Sequence, residues 1–138
     1  MTAPTVCLAT PHESLTWDDS DFGFDYIDGR KWLLQADFQF HYLFDGRHFD
    51  GCVPAGFVTD FHSVPRLLWM IFHPSEFGQA AVIHDYLYRT KGLGVSRGLA
   101  DEIYLAALTK CGASEVKRKA MYRGVRMFGW LSFKADDK

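Results

Sequence analysis

The sequence predicts one α+β domain, in which a small N-terminal antiparallel β-sheet is covered by about four C-terminal helices. Apolar residues alternate with period two along residues 38–44, whereas after Gly56 they recur about every 3.6 residues. The chain has 138 residues, 48% of them hydrophobic, with no low-complexity segment. A single domain over residues 1–138 can therefore bury a sizeable core.

The clearest strand prediction lies within residues 31–54, where aromatic residues mark one side of a strand. These residues are Phe38, Phe40, Tyr42 and Phe44. Asp45-Gly46 then supplies a hairpin turn. We expect the helices to cover the aromatic side, because four exposed rings would form an adhesive patch. Shorter strands are predicted at residues 5–8 and 22–27.

The helical segments after Gly56 are separated by residues that interrupt helices: Pro74, Gly92 with Gly94, and Gly112. A serine precedes three of the segments and can cap each one by accepting a hydrogen bond from a free backbone amide. These serines are Ser63, Ser96 and Ser114. The first helix is predicted to begin near Pro65.

Charge is unevenly distributed over the chain, although the net formal charge is only −2. Residues 1–63 hold ten acidic and three basic residues, whereas residues 64–138 hold seven acidic and twelve basic residues. This asymmetry fits either docking to a neighbouring subunit or two solvated faces. It gives no reason to expect nucleic acid as a partner.

The cysteine pattern and the hydropathy indicate a cytoplasmic site of synthesis. The three cysteines include no Cys-x-x-Cys pair of the kind used in zinc or redox sites. We find neither a signal-peptide pattern nor the roughly 20 consecutive apolar residues of a membrane span. We therefore expect free, buried thiols and a protein made in the cytoplasm.

The apolar segment at residues 80–90 contains two ionisable residues, His84 and Asp85. Buried polar groups without partners cost roughly 1–3 kcal/mol, so both residues need partners. In one interpretation, His84 is a satisfied core histidine and Asp85 is its exposed neighbour. In the other, both residues belong to a functional site.

The run from His84 to Tyr88 resembles the His-Asp helix of secretory phospholipases of the A-two class and of parvovirus capsid proteins. Ala100-Asp101 is similar to the Ala-Asp pair whose aspartate contacts the catalytic histidine of those enzymes. The resemblance implies that His84 is a general base oriented by Asp101, which Tyr88 in turn hydrogen-bonds. It also implies that Asp85 ligates a divalent cation, with calcium as the expected ion.

Two longer motifs carry a second resemblance: VPAGFVTDFHSVPR at residues 53–66 and AAVIHDYLY at residues 80–88. They are similar to motifs of an uncharacterised protein family found in tailed-phage and prophage genomes. The resemblance implies a phage setting but no particular chemistry. Within the first motif, Asp60 is either a second acidic ligand for the cation or a cap for the turn.

The segment 116–128 predicts an amphipathic basic helix, and its cationic residues include candidate partner-binding positions. These positions are Lys117, Arg118, Arg123 and Arg126. Such a face either stays solvated or contacts a membrane surface, an acidic partner or nucleic acid.

These observations leave three functional hypotheses. The first is a tail-associated virion protein that docks to other tail or baseplate proteins. The second is a hydrolase that acts on host envelope lipid or peptidoglycan through His84 and Asp101, and the two functions are compatible. The third is a purely structural subunit with His84 and Asp85 as core residues. An open cleft at His84 would favour the hydrolase, and closed packing would favour the structural role.

Overall fold

The computed structural model describes residues 15–18, 20–28, 31–44, 46–59, 77–131 and 133. The strands are β1 (Leu15–Trp17), β2 (Phe24–Asp28), β3 (Lys31–Leu34), β4 (Phe38–Phe44), β5 (Arg47–Val53) and β6 (Val58–Thr59). The helices are α1 (Gly78–Arg89), α2 (Arg97–Lys110) and α3 (Glu115–Phe128), followed by a 3₁₀ turn (Gly129–Leu131). Strands precede helices, so the α+β prediction is confirmed.

The described strands form two antiparallel sheets, with orders β1-β4-β5 and β2-β3-β6, where the sequence predicted a single sheet. The division lies between β3 and β4, because backbone groups at the end of β3 have other partners. Leu34 N–H donates to Phe57 O at 2.9 Å, and Gln35 N–H donates to Gly23 O at 3.0 Å. These bonds keep the end of β3 beside β2 and β6.

The predicted hairpin joins β4 and β5. Phe44 pairs with Arg47, so the connection has two residues. Gly46 in this connection has a φ of +78°, a conformation that glycine adopts at little cost.

The two faces of β4 differ as its sequence alternation predicts. Its buried residues are Phe38, Phe40 and Tyr42, and its exposed residues are Gln39, His41 and Leu43. The Tyr42 hydroxyl donates a 2.6 Å hydrogen bond to Glu102 of α2. Glu102 also forms a 2.8 Å ion pair with Arg47 of β5. The aromatic face is therefore buried, and α2 is fixed to the hairpin by polar contacts at its edge.

Two of the predicted helix caps are present. Ser96 Oγ accepts a hydrogen bond from Leu99 N–H at 3.1 Å, and Ser114 Oγ accepts one from Lys117 N–H at 3.2 Å. Three of the predicted helices correspond to α1, α2 and α3. The remaining helix near Pro65 lies outside the described residues, as do its cap Ser63 and the strand predicted at 5–8.

Helix α1 is the most deeply buried of the three described helices. Nine of its twelve residues are buried. It contacts both α2 and β5, while α2 also contacts α3 and β1. A polar side chain on α1 that faces α2 must therefore find its partners within the protein. None of the helices in the described part of the chain combines the length and the apolar character needed to cross a membrane.

Candidate active site

His84 and Asp101 meet at the contact between α1 and α2. His84 Nε2 lies 2.8 Å from Asp101 Oδ1, and both side chains have no solvent-exposed surface. Tyr88, one helical turn after His84, donates its hydroxyl to the same carboxylate oxygen at 2.6 Å. The structure therefore brings together the three residues predicted to be catalytic.

The second oxygen of Asp101 faces arginine side chains. Arg126 of α3 donates from Nη1 to Asp101 Oδ2 at 2.8 Å, and Arg97 Nη1 lies 3.5 Å from the same atom. Arg97 also donates to the carbonyl oxygen of Val125 at 3.0 Å. Asp101 is thus the common partner of side chains from three helices, and its orientation is fixed from both sides.

Aromatic rings enclose the imidazole of His84. The ring centroids of Tyr88 and Tyr104 lie 4.1 Å and 4.3 Å from the imidazole centroid. A Cβ atom added at Gly129 would lie 2.4 Å from the Tyr88 hydroxyl oxygen. The 3₁₀ turn therefore approaches the tip of Tyr88 so closely that only glycine fits there without a shift.

Hydrogen bonding keeps Asp101 ionised. Burial on its own raises the pKa of Asp101. This effect is outweighed by the hydrogen bond and charge of His84, together with the hydrogen bonds of Tyr88 and Arg126, which lower the pKa. The net pKa of Asp101 therefore lies below its ordinary value. Burial raises the pKa of Tyr88, and the negative charge of Asp101 raises it further, so Tyr88 remains a neutral donor.

An ionised Asp101 determines the tautomer of His84. Asp101 Oδ1 can only accept, so Nε2 of His84 must carry the proton in their 2.8 Å contact. In the neutral imidazole, the lone pair then lies on Nδ1. Proton acceptance at Nδ1 would produce an imidazolium beside a carboxylate, which is the arrangement that a histidine general base requires.

Asp85 points to a different group of partners. It is fully buried, and its Oδ2 accepts from Thr59 Oγ1 at 2.6 Å and from Arg89 Nη1 at 3.1 Å. Arg89 also donates to Val58 O at 2.9 Å. These contacts connect α1 with β6, so the interpretation of Asp85 as an exposed neighbour of His84 is wrong.

The residues around Asp85 do not favour a cation. The guanidinium of Arg89 already supplies a positive charge at Oδ2, and it would repel a divalent ion there. Among the described residues, no group of three His, Cys, Asp or Glu side chains is arranged to hold a metal ion. Asp60 lies outside the described residues. Calcium binding at Asp85 and Asp60 stays a prediction, and we derive no catalytic step from it.

A protein family model described as protein of unknown function (DUF1353) matches residues 32–125. The chain belongs to this family. The matched segment runs from β3 to near the end of α3 and includes His84, Asp85, Tyr88 and Asp101. No curated protein and no solved structure matches the chain.

The sequence analysis missed several contributors to this site of the DUF1353 chain. Arg97 lies four residues before Asp101, and this helical spacing was a usable signal. Arg126 was predicted to bind a partner, yet it contacts Asp101 from 25 residues further along the chain. Neither the ring contact of Tyr104 nor the close approach of Gly129 has a local sequence pattern that would reveal it.

The other predicted partner-binding residues have different environments. Arg123 is exposed, whereas Lys117 and Arg118 are half-buried. Arg118 donates to Ala113 O at 3.4 Å. A partner contact through these residues stays a prediction.

Proposed function

We propose that the protein is a phage tail-associated hydrolase of the His–Asp general-base type, acting on a component of the host cell envelope. The observation that supports the hydrolase most directly is the 2.8 Å contact between His84 Nε2 and Asp101 Oδ1. This contact orients the imidazole and places a negative charge where an imidazolium would form.

In the proposed reaction, a local opening of the structure brings water to Nδ1 of His84, which takes a proton from it while the water oxygen bonds to the carbonyl carbon of an ester or amide. The resulting imidazolium is stabilised by Asp101. When the tetrahedral intermediate collapses, the bond to the leaving group breaks and the leaving group receives the proton from Nδ1. His84 is thereby returned to its neutral form.

Tyr88 and Arg126 are positioning residues in this proposal. They donate to the two oxygens of Asp101 at 2.6 Å and 2.8 Å. Their bonds prevent the carboxylate from rotating away from the imidazole, and they keep it ionised by stabilising its charged form. Neither residue needs to touch the substrate.

The complete burial of His84 requires that substrate reach it through a local opening of the structure. The same burial favours a second candidate function, in which the protein is a structural docking subunit. In that candidate, the contacts of Asp101 with His84, Tyr88 and Arg126 serve to join α1, α2 and α3. The two candidates differ in whether His84 is needed for turnover.

The hydrolase is tested by incubating the full chain with phospholipid vesicles, peptidoglycan and soluble aryl esters, and comparing it with His84→Gln. We expect the variant to lose between about a hundredfold and ten thousandfold in rate, the usual contribution of a general base. His48→Gln is the matched control, since His48 is 59% exposed and lies on β5 away from Asp101. Turnover that survives in His84→Gln, or no turnover of any substrate by the parent chain, would reject the hydrolase and leave the structural candidate.

The tail-associated role rests on the similarity of residues 53–66 and 80–88 to motifs of phage and prophage proteins. It is tested by quantitative mass spectrometry of purified particles produced from a genome that encodes the chain. We expect a fixed copy number per particle that co-purifies with tails after heads are removed. Detection only in the lysate supernatant would contradict this role without affecting the enzymatic test.

A further inference from the structure

The side of α3 that faces away from α2 carries large apolar residues in contact with solvent. Val116, Met127 and Trp130 have 78%, 64% and 56% of their surface exposed, and the neighbouring Phe128 has 43%. Most exposed apolar residues occur singly and have no particular meaning, but Met127, Phe128 and Trp130 lie within four residues of one another, and such clustering is typical of interaction surfaces.

Cationic residues lie on the same side of the helix. Residues 116, 119, 123, 127 and 130 follow one another at spacings of three or four, which places them along one helical face. We call this set the outer face of α3; it consists of Val116, Lys119, Arg123 and Met127 of α3 and Trp130 of the 3₁₀ turn that follows it. Lys119 and Arg123 are both exposed. Lys119 also forms an exposed 2.7 Å ion pair with Glu115.

The structure separates this face from the basic residues that serve the protein interior. Arg126 is directed to Asp101, and Arg118 is directed to Ala113. Apart from Arg126 and Arg118, this side of the helix is a mixed surface, on which Lys119 and Arg123 lie between the apolar residues. The exposed face of β4 has no comparable group, because the residues that share this face with Leu43 are the polar Gln39 and His41.

We infer that the outer face of α3 docks onto an anionic lipid surface. Trp130 and Met127 would enter the boundary between headgroups and acyl chains, while Arg123 and Lys119 would contact lipid phosphates. Lys119 and Arg123 on this face outnumber Glu115, the one acidic residue of α3, so the charge of the face is complementary to such a surface. This inference does not depend on the proposed catalytic role of His84.

Vesicle co-sedimentation of the full chain tests the inference. One set of vesicles contains equal parts of phosphatidylglycerol and phosphatidylcholine, and the other contains phosphatidylcholine alone. We expect binding to the anionic vesicles that weakens with added salt, and at least about tenfold weaker binding to the neutral ones. Arg123→Glu should weaken binding roughly twenty-five-fold, since the reversal changes the charge by two units at about fivefold each.

The apolar part of the face is tested with Trp130→Ser, and Leu43→Ser is the matched control. Leu43 is 52% exposed, much like Trp130, but it lies on β4. We expect weaker vesicle binding for Trp130→Ser and unchanged binding for Leu43→Ser, with both variants folded as judged by circular dichroism. Equal binding by the two variants, or no binding of the parent chain to anionic vesicles, would overturn the inference.

Poly-L-glutamate distinguishes lipid from an acidic protein, because it supplies negative charge without an apolar phase. We expect poly-L-glutamate to bind the protein more weakly, per unit of negative charge, than the anionic vesicles do. If it binds as tightly, and if Trp130→Ser leaves that binding unchanged, the partner is an acidic protein and the lipid inference is overturned.

Discussion

Replacing Asp101 by asparagine tests whether this carboxylate holds the three helices together. The substitution preserves the shape of the side chain but removes its charge. It leaves Arg126 and Arg97 without a counter-charge at 2.8 Å and 3.5 Å. An asparagine oxygen at the Oδ1 position can still accept from His84 and Tyr88, but the amide nitrogen then places its donors against the guanidinium of Arg126.

The expected loss of stability follows from these contacts. Removing one partner of a buried ion pair costs about 3–5 kcal/mol. Arg126 is 38% exposed, so water replaces part of the lost interaction and the lower end applies. We therefore expect about 3 kcal/mol of destabilisation. If the free energy of unfolding falls by about 2 kcal/mol per molar urea, the urea midpoint should fall by about 1.5 M.

The measurement is equilibrium unfolding in urea, followed by circular dichroism. Asp50→Asn is the matched control, since Asp50 is a paired carboxylate that is 53% exposed on β5. We expect the control to change stability by less than about 0.5 kcal/mol. A loss below about 1 kcal/mol for Asp101→Asn would refute the view that this carboxylate is a central element of the helical layer.

Three further predictions concern stability. Because hydrogen bonds lower the pKa of Asp101, its contribution to stability is complete above about pH 4 and is lost as the pH falls towards its native value. The thermal unfolding temperature should therefore fall less between about pH 5 and pH 3 in Asp101→Asn than in the parent. An equal fall in both proteins would contradict this reasoning. Gly129→Ala should displace the Tyr88 hydroxyl, because the new Cβ would lie 2.4 Å from it. We expect Gly129→Ala to lower the free energy of unfolding in urea by about 1–3 kcal/mol. The double variant Tyr88→Phe with Gly129→Ala should lose no more than Tyr88→Phe alone. Ser96→Ala should cost about 1 kcal/mol by freeing the backbone amide of Leu99, and an unchanged urea midpoint would show that the cap contributes nothing.

The sequence predicted the parts of the structure that depend on local patterns. The alternation around Phe40 predicted which face of β4 is buried, because successive side chains on a strand point to opposite sides. Ser96 and Ser114 predicted where two helices begin, since a serine cap acts on backbone amides only two or three residues after it. The contact between His84 and Asp101 was predicted through a resemblance of short motifs together with a short connection between the helices.

Features that depend on distant residues were not predicted. The division into two sheets results from backbone bonds of Leu34 and Gln35 with Phe57 and Gly23, which immediately precede β6 and β2. No periodicity of residues 31–54 indicates which neighbour each strand takes. The contact of Arg126 with Asp101 was missed for a related reason. A basic residue on an amphipathic helix is equally consistent with solvent and with an internal carboxylate until the packing of α3 on α2 is known.

The reason for a buried polar cluster in the helical layer can be tested by replacing the cluster as a whole. Removing one member leaves its partners unsatisfied, so single variants lose stability whether the cluster is functional or structural. Concerted replacement of His84 and Asp101 by leucine, Tyr88 by phenylalanine and Arg126 by methionine removes these four members together, while Arg97 keeps its hydrogen bonds to the carbonyl oxygens of residues 125 and 126. Such apolar replacements of buried ionic clusters are often neutral or stabilising by about 1–4 kcal/mol. If His84 and Asp101 exist for catalysis, we expect the fourfold variant to remain folded, to match or exceed the parent in urea unfolding, and to lose all turnover. If it fails to fold while the parent shows no turnover, the cluster is required for the architecture, and closed packing of His84 is its function.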